Sequence, residues 1–151
     1  MRDTPEDVVV NRAGGRMLTH AAAEVRVRDF TVVSDEPESR GGENRAPTPL
    51  EYVLVALCAC TNASTGKLAE KLRFVYDDLR TEAVGEIDIR GRRGEADVPV
   101  HYRMVRLHVA IRTEESAGRV ERLADLVARY CPVDSLIRAA VPDYEVRWER
   151  L

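Results

Sequence analysis

Three cysteines, Cys58, Cys60 and Cys131, carry the most distinctive chemistry in this 151-residue chain. Their number is odd and two of them stand two positions apart, which does not fit the paired framework of a secreted disulfide-rich protein. They are free thiols, metal ligands or redox groups. Metal ligation would draw a further group from His20, His101 or His108, and none of these has a recognisable ligand spacing. A Cys-x-Cys pair inside a helix also clamps a metal poorly, because a two-residue step turns about 200° around the axis and splays the sulfurs. No metal is expected.

Cys60 ends the most apolar stretch of the chain, residues 53–60. A free thiol there is either a small hydrophobe packed in a core or a nucleophile kept from water. Cys131 stands before Pro132, and proline disfavours helical geometry in the residue preceding it. A helix should therefore restart at Pro132 with Cys131 as its N-cap. A thiol in that place faces free N–H groups and the positive end of the helix dipole, which favours thiolate. The other reading is a small residue filling a tight helix junction. Should the two thiols meet, Cys60 would attack a peroxide O–O bond to give a sulfenic acid, and Cys131 would condense with it to a disulfide. Only the fold can bring them together.

The elements that must do so follow from patterning. Val8-Val9-Val10 reads as a short strand ended by a turn at Asn11-Arg12-Ala13-Gly14-Gly15. Residues 24–28 alternate with period two, and Phe30-Thr31-Val32-Val33 continues them as a small antiparallel sheet. Residues 34–48 are a polar loop. Thr48-Pro49-Leu50-Glu51 is a capping box with proline at the first helical position. It opens a helix expected to reach Arg73, apolar on every face in its first half and so buried all round. Residues 86–90 and 105–111 read as strands separated by a charged turn over 91–99. An amphipathic helix carries Val120, Leu123, Leu126, Val127 and Tyr130; a short one follows Pro132, and Tyr144, Val146 and Trp148 mark a final strand. The order is that of an α+β fold in a single domain, 1–151.

Composition narrows the classes. Lys+Arg 23 against Asp+Glu 26 gives a net charge of -3, which disfavours a nucleic-acid partner although only Lys67 and Lys71 among the basic residues are not arginine. No apolar run reaches the roughly 18 residues of a membrane helix, and Met1-Arg2-Asp3-Thr4-Pro5 is too polar for a secretory segment. A cytoplasmic protein is expected. The all-round apolar helix, in a chain so poor in aromatics, also calls for a homodimer to cover it.

Four segments together resemble a known family: Ser34-Asp35-Glu36-Pro37-Glu38-Ser39-Arg40-Gly41-Gly42, Pro47-Thr48-Pro49-Leu50-Glu51, Ala56-Leu57-Cys58-Ala59-Cys60-Thr61 and Tyr130-Cys131-Pro132-Val133. The resemblance is to the osmotically inducible protein C and organic hydroperoxide resistance family, in its OsmC-like branch. It implies antiparallel sheets wrapped around long central helices in an intertwined homodimer. It implies a thiol peroxidase that reduces organic hydroperoxides, holds no bound cofactor and is recycled by an external dithiol, of lipoyl type in the family pattern. The family's peroxidatic cysteine falls eleven residues after the helix-starting proline, which is Cys60 rather than Cys58, and Cys131 matches its resolving cysteine.

The resemblance also implies an arginine held by a glutamate, since a buried thiol needs a nearby cation to ionise. The hydroperoxide-resistance branch has its glutamate directly after the proline. This chain has Leu50 there and Glu51 next, so Glu51 is a catalytic candidate and a helix cap at once. Arg16, in Gly14-Gly15-Arg16, looks like the family's N-terminal arginine, with Arg40 and Arg45 as further candidates. The alternative function is a non-enzymatic dimer of the same fold, binding a small apolar ligand with cysteines lining its pocket.

Overall fold

The computed structural model describes residues 7–151, as two compact units, one up to Tyr52 and the other Val53–Leu151. In the first unit three strands pair antiparallel in chain order: β1 (Gly14–Met17), β2 (Ala23–Val27) and β3 (Phe30–Ser34). The expected strand at Val8-Val9-Val10 does not form, and those valines are exposed outside any ladder. The strand lies instead partly where the turn was expected, with Gly14 opposite Arg26 and Met17 opposite Ala23. Pairing with β2 overrides the weak strand preference of two glycines.

The loop after β3 is ordered by one carboxylate. Asp35 is buried, and its side chain accepts the N–H groups of Glu36, Glu43 and Arg45 at 2.9, 3.2 and 3.1 Å. Those amides hold the Asp35 pKa below its ordinary value, Arg45 first, against the opposing effect of burial. A single 3-10 turn, Glu38–Arg40, ends at Gly41 with φ 84°. At Gly42 any side chain would strike the Glu36 carbonyl. The loop delivers the chain to α1 (Pro49–Leu72), as the capping box predicts. Tyr52 in its first turn donates a 2.7 Å hydrogen bond to the Val33 carbonyl and ties the helix start to β3.

The second unit holds β4 (Asp78–Glu86), the five-residue α2 (Ile89–Arg93), β5 (Met104–Arg112), α3 (Ala117–Tyr130), α4 (Pro132–Ala140) and β6 (Asp143–Arg150). β4 and β5 are antiparallel, whereas β5 and β6 are parallel. A parallel pair needs a long crossover, and α3 with α4 supplies it. β5 alternates as read from sequence, burying Val105, Leu107, Val109 and Ile111. The strand expected over 86–90 is corrected: β4 ends at Glu86, and Asp88 accepts the Arg90 N–H at 3.0 Å to cap α2. The true strand precedes it, and its Gly85 leaves no room for a Cβ beside the Tyr102 ring.

One expectation about α1 also fails within a single chain. Its buried residues are Leu57, Thr61, Thr65 and Ala69, a stripe of four-residue steps, while Val55 is 52% exposed and Ala56 and Ala59 are open too. The chain covers one face of this helix, not all of them. No described helix is long and apolar enough to cross a membrane.

Candidate active site

The chemistry gathers where α1 meets the α3–α4 junction. Cys131 has extended backbone angles, φ -78° and ψ 112°, between two helices. Its N–H donates to the Val127 carbonyl at 2.8 Å, closing α3, and its own carbonyl accepts the Ser135 N–H at 3.0 Å, opening α4. Pro132 takes the first position of α4, as read from sequence. The side chain thus has one direction to point, and it is fully buried among Ala69, Phe74, Leu123 and Val127.

Cys60, half-buried on α1, packs against the same cluster and interacts with the Cys131 thiol through its side chain. Ser64, one turn further along α1, also reaches the Cys131 sulfur. All three cysteines are free thiols. Cys58 leaves the helix about 200° from Cys60 and belongs to another face.

Burial is the largest influence on Cys131 and pushes its pKa up. The Asp134 N–H at the start of α4 pulls it down, Cys60 raises it, and the Ser64 hydroxyl lowers it. The net shift is upward. The helix start therefore favours thiolate as expected, but removal from water is the larger effect. A buried, protonated thiol beside a second thiol suits the resolving step, condensation with a sulfenic acid formed on its neighbour, better than the first attack on a peroxide.

Three further groups brace this junction and were missed in the sequence. Asp134 is buried, accepts from Arg138 at 3.1 Å and receives the Tyr144 hydroxyl at 2.6 Å. The Arg138 guanidinium also lies 5.0 Å from the Tyr144 ring centroid. The only signal for them was the four-residue step from Asp134 to Arg138 on α4.

Glu51 and the candidate arginines belong to the first unit. Oε2 of Glu51 accepts the Thr48 N–H at 2.7 Å, and the Thr48 hydroxyl accepts the Glu51 N–H at 3.3 Å. The capping box is therefore real. Thr48 holds the Glu51 pKa down, first through its N–H and then its hydroxyl, and the charge of Arg40 adds to this against desolvation. Arg16, on β1, is 69% exposed and pairs with Glu24 at 3.0 Å. Arg45 pairs with Glu43 and Asp35. Arg40, on the 3-10 turn and bonded to Glu36 at 2.6 Å, is the candidate whose charge acts on Glu51.

The sequence model of the OsmC-like protein family matches residues 41–144. The chain belongs to that family. No curated protein sequence matches it. An OsmC-like protein from Mycoplasma pneumoniae superposes with a TM-score of 0.78 at 17% identity, over 95% of this chain and 96% of the other. An organic hydroperoxide resistance protein from Elizabethkingia anophelis gives 0.74 at 12% identity, over 97% and 99%. An organic hydroperoxide resistance protein OsmC from Legionella pneumophila gives 0.64 at 15%, over 95% and 97%. At such identities these establish the OsmC-like fold, as the resemblance implied, and leave the reaction to be argued from the site.

Proposed function

We propose that this OsmC-like protein is a thiol peroxidase that reduces organic hydroperoxides through Cys60 and Cys131. The observation that carries this reading is the meeting of those two thiols, with Cys131 kept protonated by burial. Cys60 as thiolate attacks the terminal oxygen of the hydroperoxide. An S–O bond forms as the O–O bond breaks, and the alkoxide leaves and takes up a proton to become the alcohol. Cys131 then attacks the sulfenic sulfur, closing a disulfide and releasing the sulfenic oxygen as water. An external dithiol of the lipoyl class reopens the bond by exchange and departs as its own disulfide.

Glu51 holds the start of α1, and Arg16 stays the candidate arginine of the site with Arg40 and Arg45 beside it, Arg40 being the one of the three whose charge acts on Glu51. The open face at Val55, Ala56 and Ala59 supports a homodimer, and free thiols suit a reducing cytoplasm.

Peptide mass spectrometry of peroxide-treated protein tests the reading. A Cys60–Cys131 bridge, reducible by a dithiol, is the expected product. In Cys131→Ser the sulfenic acid on Cys60 should persist and be trapped by dimedone. Thiols left free after treatment would favour the ligand-binding dimer instead.

A further inference from the structure

Cys131 is fully buried, yet two steps of the peroxidase cycle put negative charge on its sulfur. It must give up its proton to close the disulfide, and it must leave as thiolate when a reductant opens the bond. A charge that appears away from water needs a hydrogen-bond donor beside it. The backbone offers one, the Asp134 N–H at the start of α4. The Asp134 carboxylate offers none, since it accepts from Arg138 and from the Tyr144 hydroxyl.

Ser64 supplies a side-chain donor. It stands four residues beyond Cys60 on α1, so the two side chains leave the same side of the helix about one turn, or about 6 Å, apart. The Cys131 backbone, held by the Val127 carbonyl and the Ser135 N–H, aims its thiol at that side. Ser64 and Tyr130, the residue before Cys131, line one surface cleft, which places the end of α3 beside this turn of α1. Ser64 is half-buried there, between the sealed sulfur and solvent. A hydroxyl inside a helix commonly turns back to the carbonyl four residues earlier. Thr65 does so, donating to the Thr61 carbonyl at 2.8 Å. Ser64 hydrogen-bonds the Cys131 sulfur.

We propose that Ser64 is a further catalytic residue, whose hydroxyl donates a hydrogen bond to the Cys131 sulfur while that sulfur is anionic. When the disulfide closes, an S–S bond replaces the S–O bond of the Cys60 sulfenic acid. The Cys131 proton passes to the departing hydroxide, which leaves as water. When a dithiol opens the bond, its thiolate attacks Cys60, since Cys131 is sealed. Cys131 departs as thiolate, held by Ser64, and takes up a proton. The second thiol of the reductant then closes the reductant's own disulfide and frees Cys60. This rests on the peroxidase reading and assigns a residue to its resolving and recycling steps.

Single-turnover mixing with cumene hydroperoxide separates the steps. Ser64→Ala should slow disulfide closing about tenfold more than it slows hydroperoxide consumption, as loss of a hydrogen bond to a charged group predicts. The rise of the closing rate with pH should move to higher pH, because Cys131 then ionises without that donor. Ser64→Thr keeps the hydroxyl and should keep the wild-type profile. Reduction of the isolated disulfide by dithiothreitol should also slow in Ser64→Ala. An alanine variant that closes at the wild-type rate would overturn the proposal, as would one slowed equally in both steps with an unmoved pH profile. If no hydroperoxide is consumed, the peroxidase reading falls by itself. The Cys60–Cys131 disulfide is then made with diamide. Slower reduction by dithiothreitol in Ser64→Ala upholds the role of the hydroxyl; equal reduction, or no such disulfide, rejects it.

Discussion

The Tyr144 hydroxyl donates a 2.6 Å hydrogen bond to Oδ1 of Asp134, three positions beyond Cys131. Because the N–H of Asp134 also acts on the Cys131 thiol, this bond braces the turn that aims the thiol at Cys60. Tyr144→Phe should leave a buried carboxylate one partner short, at about 1–3 kcal/mol in urea unfolding. The sulfenic acid on Cys60 should then live longer before Cys131 closes on it, giving a larger dimedone yield at fixed time. Wild-type stability and wild-type yield together would show that the brace is idle.

The register of the two neighbouring thiols on α1 makes a second prediction. Cys60→Ser should abolish hydroperoxide consumption, since a serine hydroxyl supplies almost no anion at neutral pH. Cys58→Ala should retain most of it, because that side chain leaves the helix on another face. A dead Cys58→Ala beside an active Cys60→Ser would reverse the assignment.

The raised pKa of Cys131 fixes the sign of a pH effect. Its ordinary value is 9.0, and burial lifts it in the folded protein. The unfolded chain therefore loses this proton first, and stability tied to the protonated thiol is complete below the unfolded value and lost as pH rises through the folded one. Unfolding midpoints of the reduced protein should decline above about pH 9. Tyr144 is also pushed up by burial, so the control is Cys131→Ala, whose decline should be shallower. Matching slopes would remove Cys131 as the cause.

At acid pH the capping box acts in the opposite sense. Glu51 titrates below its ordinary 4.5, so its stabilising effect is present above that value and is lost as pH falls through the lower folded value. Thr48→Ala should cost about 1 kcal/mol and flatten the loss, since the Glu51 carboxylate would keep only the backbone N–H. Thermal unfolding at neutral and acid pH checks both.

The sequence made α1, α3, α4 and the cysteine junction legible because their signals are local. Thr48, Pro49 and Glu51 mark one helix start, and Cys131-Pro132 marks another, each through backbone chemistry within one turn. β4 was not legible. Its inward side carries Leu79, Thr81, Ala83 and Gly85, too weakly apolar to announce a strand, and only pairing with β5 places it. The same holds for Gly14–Met17, which β2 makes a strand. In the site, Cys60 and Cys131 could be named from motif and position. Asp134 and Arg138 on α4 meet Tyr144 from β6, a contact that no local pattern announces, and the influence of Arg40 on Glu51 depends on the loop that Asp35 holds.

The parallel pairing of β5 with β6 has a consequence for when the thiols become dangerous to one another. Cys131 sits within the crossover, so it meets Cys60 only after contacts far apart in sequence have closed, which is slow relative to local helix formation. A nascent chain offers three thiols whose pairing the fold has not yet decided. The finished crossover leaves one partner within reach of Cys131, and oxidation before that point would lock in a mispaired chain. Newly made protein should therefore fold well in a reducing environment and poorly in an oxidising one, a difference that refolding yields with and without a dithiol would show.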